Sequence, residues 1–287
     1  WIERILMFFS KIKSYAKLNL ALNIIGKKHS LHTIETIIGF ASLHDQIFIK
    51  KIEKKNHKIF FTGKFSKNIG KDNTISKLPT ILDKKKLLKN QKYLINVNKQ
   101  IPNKAGLGGG SMNAVNILKF FVKKKIIKVK KKEIILISKL IGSDVILGLK
   151  STYSVLNSRN KIQYFFNLKK FYILIVKPNF GCSTKEIFSK VRKFDKPKFN
   201  KPKRKMFDFK NLEKMQNSLE QIVFSKYPKL NEVKTFLENL SNQSFVRMTG
   251  SGSALVTYFE SKKECENAKK EFKKKYKNYW CISSKTI

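Results

Sequence analysis

The stretch from Ile101 to Asn116, IPNKAGLGGGSMNAVN, constrains this chain more than any other. It follows a strand-like run, Tyr93 to Val97, and Pro102 cannot extend a strand ladder. Gly106, Gly108, Gly109 and Gly110 come next, and glycine admits positive φ and close approach to the main chain. Ser111 follows, and then Ala114, Leu118, Phe121 and Val122 fall on one face at helical spacing. The predicted order is therefore strand, glycine loop, serine, helix. A helix that opens out of such a loop aims unpaired N–H groups and its positive dipole end into the loop, which suits a phosphate. Spacing excludes two familiar phosphate loops. A Walker loop needs Lys between its last Gly and Ser, and here Gly110 meets Ser111 directly. A dinucleotide fingerprint needs a third Gly where Ser111 stands.

Other stretches carry weaker signals. From Leu18 to Ile24 the chain alternates like a half-buried strand, with Lys17 and Asn19 on the face opposite Leu18 and Leu20. That polar face reads as a solvated strand edge, ahead of a turn at Gly26-Lys27-Lys28. Asp72-Asn73-Thr74 can cap a helix reaching about Asp83, which Pro79 is expected to kink or end. A second helix, Glu133 to Ile141, is expected to stop at a left-handed Gly142. Asp144 just beyond it reads as an N-cap. Phe171 to Val176 is a continuous apolar run and predicts a central strand. Ser183-Thr184 begins a short helix, and Lys193 to Lys210, basic and without periodicity, reads as a mobile surface loop.

The segment Pro102-x-x-Ala105-Gly106-Leu107-Gly108-Gly109-Gly110-Ser111-x-Asn113-Ala114 resembles the ATP-phosphate loop of the GHMP kinases, small-molecule kinases outside the Walker class. Ala16-Lys17-Leu18-Asn19-Leu20 resembles the family's first signature, and Met248-Thr249-Gly250-Ser251-Gly252-Ser253 its third, in the family's order. The resemblance runs from about Lys13 to Phe259. It implies a two-domain α+β fold, with a nucleotide-binding α/β domain over 1–165 and a ferredoxin-like α+β domain over 166–287. It implies ATP and Mg²⁺, with Asn73, Lys99, Pro102, Ala105, Gly106, Leu107, Gly108, Gly109, Gly110 and Ser111 at the nucleotide. Lys17 and Asp144 would be catalytic, Asp144 taking a hydroxyl proton while Lys17 balances charge. Asn19, Leu31, His32, Thr184, Gly250 and Ser251 would face the acceptor.

The triple Gly before Ser-x-Asn-Ala is most similar to one branch of the family. That branch phosphorylates the 2-hydroxyl of a cytidine-diphosphate-linked methylerythritol on the non-mevalonate route to isoprenoids. The chain departs from the branch pattern in a few places. Tyr15 and Ile146 replace prolines, Met112 and Val115 replace small residues, and Leu31 stands where an aromatic residue stacks on cytosine.

Composition limits the remaining readings. A chain of 287 residues suits two modest domains, and 41% hydrophobic content is ample for burial. The formal charge of +43 ordinarily suggests a polyanion partner. The lysines are spread along the whole chain, however, beside abundant Ile, Asn and Phe, as drift in an AT-rich genome would leave them. Three cysteines without a Cys-x-x-Cys pair fit a reducing cytoplasm, and the four histidines have no metal spacing. No stretch is long and apolar enough to span a bilayer. Residue 1 is Trp, which makes Met7 a candidate initiator. The expectation is a small-molecule kinase without specific nucleic acid or membrane partners, monomeric or weakly dimeric. Two alternatives stay open: a GHMP kinase with a mevalonate- or homoserine-type acceptor, and a basic nucleic-acid-binding protein on the same fold.

Overall fold

The computed structural model describes residues 9–29 and 31–287, so Met7 and most of the apolar run before Phe9 lie outside it. Contacts divide the chain into two compact units that interleave along the sequence. One takes the residues up to Ala16, Leu43–Pro102 and Gly108–Lys150; the other takes Lys17–Ser42, Asn103–Leu107 and Ser151–Ile287. Two long strands, β1 (Ser10–Lys28) and β2 (Leu31–Ile52), lend residues to both. β1 continues through Gly26 to Lys28, so the expected turn begins only at His29.

In the first unit, β3 (Lys58–Thr62) and β4 (Lys92–Asn98) join the second half of β2. β4 buries Tyr93, Ile95 and Val97 at alternate positions, as a pleated strand with one core face must. It pairs antiparallel with Gln46–Ile52 of β2 and parallel with β3, and so lies between them. Three helices share its core: α1 (Thr74–Lys84), α2 (Gly109–Lys123) and α3 (Lys131–Ile141). Pro79 neither ends α1 nor shortens it. Its ring is buried with Ile75, Leu78 and Leu82, and that packing offsets the one backbone bond a proline removes. Gly142 is extended, at φ 172°, rather than left-handed, because the chain passes straight into a 3₁₀ turn at Val145–Gly148.

In the second unit, the first half of β2 pairs through Thr36–Ile38 with β5 (Tyr153–Leu156), which pairs with β6 (Ile162–Phe165). A separate antiparallel sheet contains β7 (Tyr172–Lys177), β8 (Phe245–Met248), β9 (Leu255–Phe259) and β10 (Trp280–Lys285) in the order β10-β7-β9-β8. β7 is interior, as its unbroken apolar run requires. The helices of this unit are α4 (Thr184–Ser189), α5 (Phe209–Glu213), α6 (Glu220–Lys226), α7 (Pro228–Glu238) and α8 (Lys262–Lys275). Leu230, Val233 and Phe272 pack with Leu174, Val176 and Leu255 in its core.

The segment Lys193 to Lys210 is tied down, contrary to its reading as a mobile loop. The buried Glu35 carboxylate accepts from the backbone N–H groups of Lys198 (2.6 Å) and Phe199 (3.0 Å). Phe199 and Phe207 are themselves buried. Among the described residues no helix is long and apolar enough to cross a membrane.

Candidate active site

The first unit holds a helix end of the kind that suits an anion. Gly108 caps α2 with φ 65° and ψ 15°, a left-handed geometry that only glycine adopts cheaply, and as glycine it offers no side chain to the N–H groups behind it. The helix starts at Gly109, so Ser111 lies in its first turn rather than ahead of it. Positive φ in the loop falls on Gly106 and Gly108, while Gly109 and Gly110 are helical. A Cβ on Gly110 would lie 2.9 Å from Thr74 Oγ1, so the starts of α1 and α2 converge.

Asn73 caps α1: its Oδ1 accepts from Ile75 N–H (2.9 Å) and Ser76 N–H (3.1 Å), and its Nδ2 donates to the Gly70 carbonyl. Lys99 is not a surface charge. It is buried and paired with the Asp45 carboxylate, and its ammonium lies 3.1 Å from where a Cβ of Gly109 would be. Asp45, fully buried, also accepts from Gln100 N–H (2.7 Å), Ile101 N–H (2.8 Å) and Asn113 Nδ2 (2.8 Å). One carboxylate thus fixes both the entry to the glycine loop and the first turn of the helix behind it. Asp144 is half-buried at the head of the 3₁₀ turn and makes no side-chain cap there.

In the second unit the three signatures come together. Lys17 N–H donates to the Leu107 carbonyl (2.9 Å), and Lys17 Nζ donates to Asn19 Oδ1 (2.7 Å). Asn19 N–H donates to Thr249 Oγ1 (3.0 Å), whose hydroxyl donates to the Gly106 carbonyl (3.1 Å). Asn19 Nδ2 also donates to Thr36 Oγ1 (2.9 Å). Ala254 N–H donates to the Ala105 carbonyl (3.2 Å). The third signature turns sharply, with φ 55° at Gly250 and 77° at Gly252. Asn217 Nδ2 holds that turn through the carbonyls of Met248 (2.7 Å) and Gly250 (2.8 Å). Thr184 and Ser251 share a hydroxyl hydrogen bond of 2.9 Å. Lys17 and Asn19 are both buried, so the face that reads as a solvated strand edge is an interior face.

His32 and Leu31 diverge. Leu31 is 71% exposed, whereas the His32 ring lies 5.3 Å from the Phe188 ring and 6.4 Å from the Phe194 ring. Burial pushes the His32 pKa below its ordinary value, and the Lys27 charge adds to that.

Asp45 and Asn217 carry no motif that marks them, whereas Thr249 lies within the third signature. The available signal for Asp45 is an acid at the same strand parity as Leu43, Ile47 and Ile49, the apolar positions on either side of it. Pro102 is buried at the entry to the loop, and no group of three or more acid, His or Cys side chains among the described residues could hold a metal.

The chain matches the family model described as "GHMP kinases N terminal domain" over residues 73–154, and "GHMP kinases C terminal" over 197–278. It is 57% identical over 277 residues to the 4-diphosphocytidyl-2-C-methyl-D-erythritol kinase of Pelagibacter ubique, covering 96% of this chain and 99% of that one. It is 32% identical to the enzyme of that name from Petrotoga mobilis, over 85% and 96% of the two chains. Among solved structures, a 4-(cytidine 5′-diphospho)-2C-methyl-D-erythritol kinase superposes with a TM-score of 0.78 at 20% identity, covering 96% of this chain and 99% of that one. A homoserine kinase from Cytophaga hutchinsonii shares the fold at a TM-score of 0.71 and 15% identity, over 98% and 95% of the chains. The chain therefore belongs to the GHMP kinases and, within them, to the 4-diphosphocytidyl-2-C-methyl-D-erythritol kinases.

Proposed function

We propose that this chain transfers the γ-phosphoryl group of ATP to the 2-hydroxyl of 4-diphosphocytidyl-2-C-methyl-D-erythritol, in isoprenoid precursor synthesis. The observation that carries the reading is the hydrogen-bonded convergence of Asn19, Gly106 and Thr249, one residue from each signature. The 57% identity to a kinase of that name, over nearly the full length of both chains, supports the choice of acceptor. Asn73, Lys99 and the loop Pro102, Ala105, Gly106, Leu107, Gly108, Gly109, Gly110 and Ser111 form the nucleotide side. The N–H groups at the start of α2 receive the phosphates, where the helix dipole favours negative charge.

Asp144 accepts the acceptor's hydroxyl proton as the new oxygen–phosphorus bond forms and the bond to the leaving ADP breaks. Lys17, oriented by Asn19, balances the charge that develops there. Leu31, His32, Thr184, Gly250 and Ser251 hold the acceptor. Mg²⁺ neutralises phosphate charge when bound. A chain without a cluster of metal-ligating side chains among its described residues fits an ion held mainly by nucleotide oxygens. We place the domain boundary at 165/166, in the span that the two family models leave between them. The remaining expectations belong to the same proposal: a cytoplasmic monomer or weak homodimer, without specific nucleic acid, whose lysines come from compositional drift.

The test is ADP release against an acceptor panel, with product mass spectrometry. Turnover confined to the cytidine-diphosphate-linked acceptor is expected. Equal or faster turnover of homoserine or mevalonate would overturn the acceptor assignment, and no ADP release with any of the three would overturn the kinase reading.

A further inference from the structure

Phe194 is 50% exposed, yet it is held in place. An aromatic ring left in water on a loose loop needs no explanation, but the residues that follow this one are pinned. Asp195 N–H donates to the Ile24 carbonyl (2.7 Å), and the Asp195 carboxylate accepts from Ile24 N–H (3.1 Å) and Gln216 Nε2 (3.1 Å). Three residues on, Glu35 takes the Lys198 and Phe199 N–H groups and is itself oriented by Asn23 Nδ2 (2.9 Å). Two carboxylates and the end of β1 therefore fix a segment whose only exposed aromatic ring leans toward His32. The Phe188 ring approaches the same imidazole, and the two phenyl planes lie at 48° and 49° to it.

We propose that Phe194 supplies an aromatic face for the pyrimidine ring of the acceptor, taking over in this chain the contact that Leu31 cannot give. The inference rests on the proposed function and deepens it. Leu31 is 71% exposed and has no π face, so the contact it gives the acceptor is apolar without ring stacking. Phe194 and Phe188 present two rings beside a polar imidazole, an arrangement suited to a base that stacks on one group and hydrogen-bonds to another. Burial and the charge of Lys27 both favour the neutral imidazole, the form that offers one donor and one acceptor to a base edge. Sequence reading misses the residue because Phe194 lies in a stretch without periodicity, and only the Asp195 and Glu35 anchors bring it to the imidazole.

The experiment uses the full chain and two probes, the cytidine-diphosphate-linked acceptor and cytidine 5′-diphosphate alone as a competitive inhibitor. Phe194→Ala should raise acceptor KM and the inhibition constant of cytidine 5′-diphosphate by about tenfold, as loss of one base stack does, with kcat and the KM for ATP unchanged. Phe194→Leu, which keeps bulk and loses the ring, should behave the same way. Phe194→Trp should stay within about threefold of the parent. Adding Leu31→Tyr to Phe194→Ala should restore most of the lost affinity. Parent-like values for Phe194→Ala and Phe194→Leu in an enzyme that turns over the cytidine acceptor would overturn this inference alone. A parent chain that neither uses that acceptor nor binds cytidine 5′-diphosphate would instead overturn the proposed function on which it rests.

Discussion

Gly106→Ala is the substitution that most directly probes how the signatures are joined. Gly106 has φ 74°, and an alanine Cβ built there falls 1.9 Å from the Thr249 carbonyl oxygen and 2.9 Å from its carbon. Ordinary contact begins at 3.4 Å, so the loop and the third signature must separate by 3.4 − 1.9 = 1.5 Å. Thr249 cannot yield alone. Its carbonyl accepts from Gly252 N–H (3.0 Å), its own N–H donates to Ala254 (3.1 Å), and its hydroxyl is bonded to Gly106 and Asn19. Left-handed strain at a non-glycine residue adds roughly 1–2 kcal/mol. A misplacement of about 1 Å at a phosphoryl-transfer site costs on the order of 10²-fold, or about 2.7 kcal/mol in the barrier. The expected result is a fall of at least ~10²-fold in kcat/KM for ATP, with far-ultraviolet circular dichroism retained. Gly109→Ala is the internal control. Its Cβ would point toward Lys99 Nζ (3.1 Å) and Ile101 Cγ2 (3.2 Å), so it adds crowding of about 1 kcal/mol without left-handed strain. Both enzymes would be compared by coupled ADP release. A Gly106→Ala enzyme with parental kcat/KM, or one less impaired than Gly109→Ala, would refute the account.

Asp45→Asn should cost roughly 3–5 kcal/mol of folding stability in urea titration, because it leaves the buried Lys99 ammonium without its counter-charge; a loss under about 1 kcal/mol would show that the pair is dispensable. Asp144→Asn keeps shape and removes the proton acceptor, so kcat should drop by about 10²-fold or more with both KM values near parental, and normal turnover would remove Asp144 from the chemistry. His57 predicts a pH effect on stability. Its pKa lies below the ordinary 6.5, chiefly through burial and with Lys92 adding to it, although Asp83 pulls the other way. The unfolded chain therefore binds the proton more readily, and stability present above pH 6.5 is lost as pH falls toward the folded value. In thermal melts from pH 7.5 to 5 the His57→Gln protein should lose less than its parent, and parallel curves would contradict the assignment.

How much of this site can be read from the sequence depends on how local each feature is. The helix behind the glycine loop, the Asn73 cap, β4 and the apolar run of β7 each rest on neighbours within a few positions, and each appears within a residue or two of where the pattern predicts it. The features that differ depend on distant partners. Glu35 and Asp195 order a segment that looks like free loop because their partners lie far along the chain. Pro79 stays within α1 as one of its buried residues, with Ile75, Leu78 and Leu82, and Gly142 is extended ahead of the turn that follows it. Lys17 and Asn19 follow strand alternation correctly, but alternation assigns only the two faces. It does not say that Thr36 and Thr249 cover the polar one.

Burial separates the lysines that composition explains from those it does not. Of the 62 Lys and Arg side chains, the described ones that are buried are Lys17, Lys99 and Arg247. Drift toward AT-rich codons adds lysine readily where water solvates the ammonium. It cannot add one in the interior without a cost of several kcal/mol unless a partner is already there. Each of the three has partners: Asn19 for Lys17, Asp45 for Lys99, and the carbonyls of Leu212 and Met215 for Arg247. Arg247 braces the chain that leads to Asn217, and Asn217 holds the turn of the third signature. Lys99 shares Asp45 with the glycine loop, and Lys17 is bonded to that loop through its backbone. All three buried cations thus adjoin a signature, which is where a kinase needs fixed positive charge. A nucleic-acid surface would instead draw on the exposed lysines, and a uniform excess of those says nothing about a ligand.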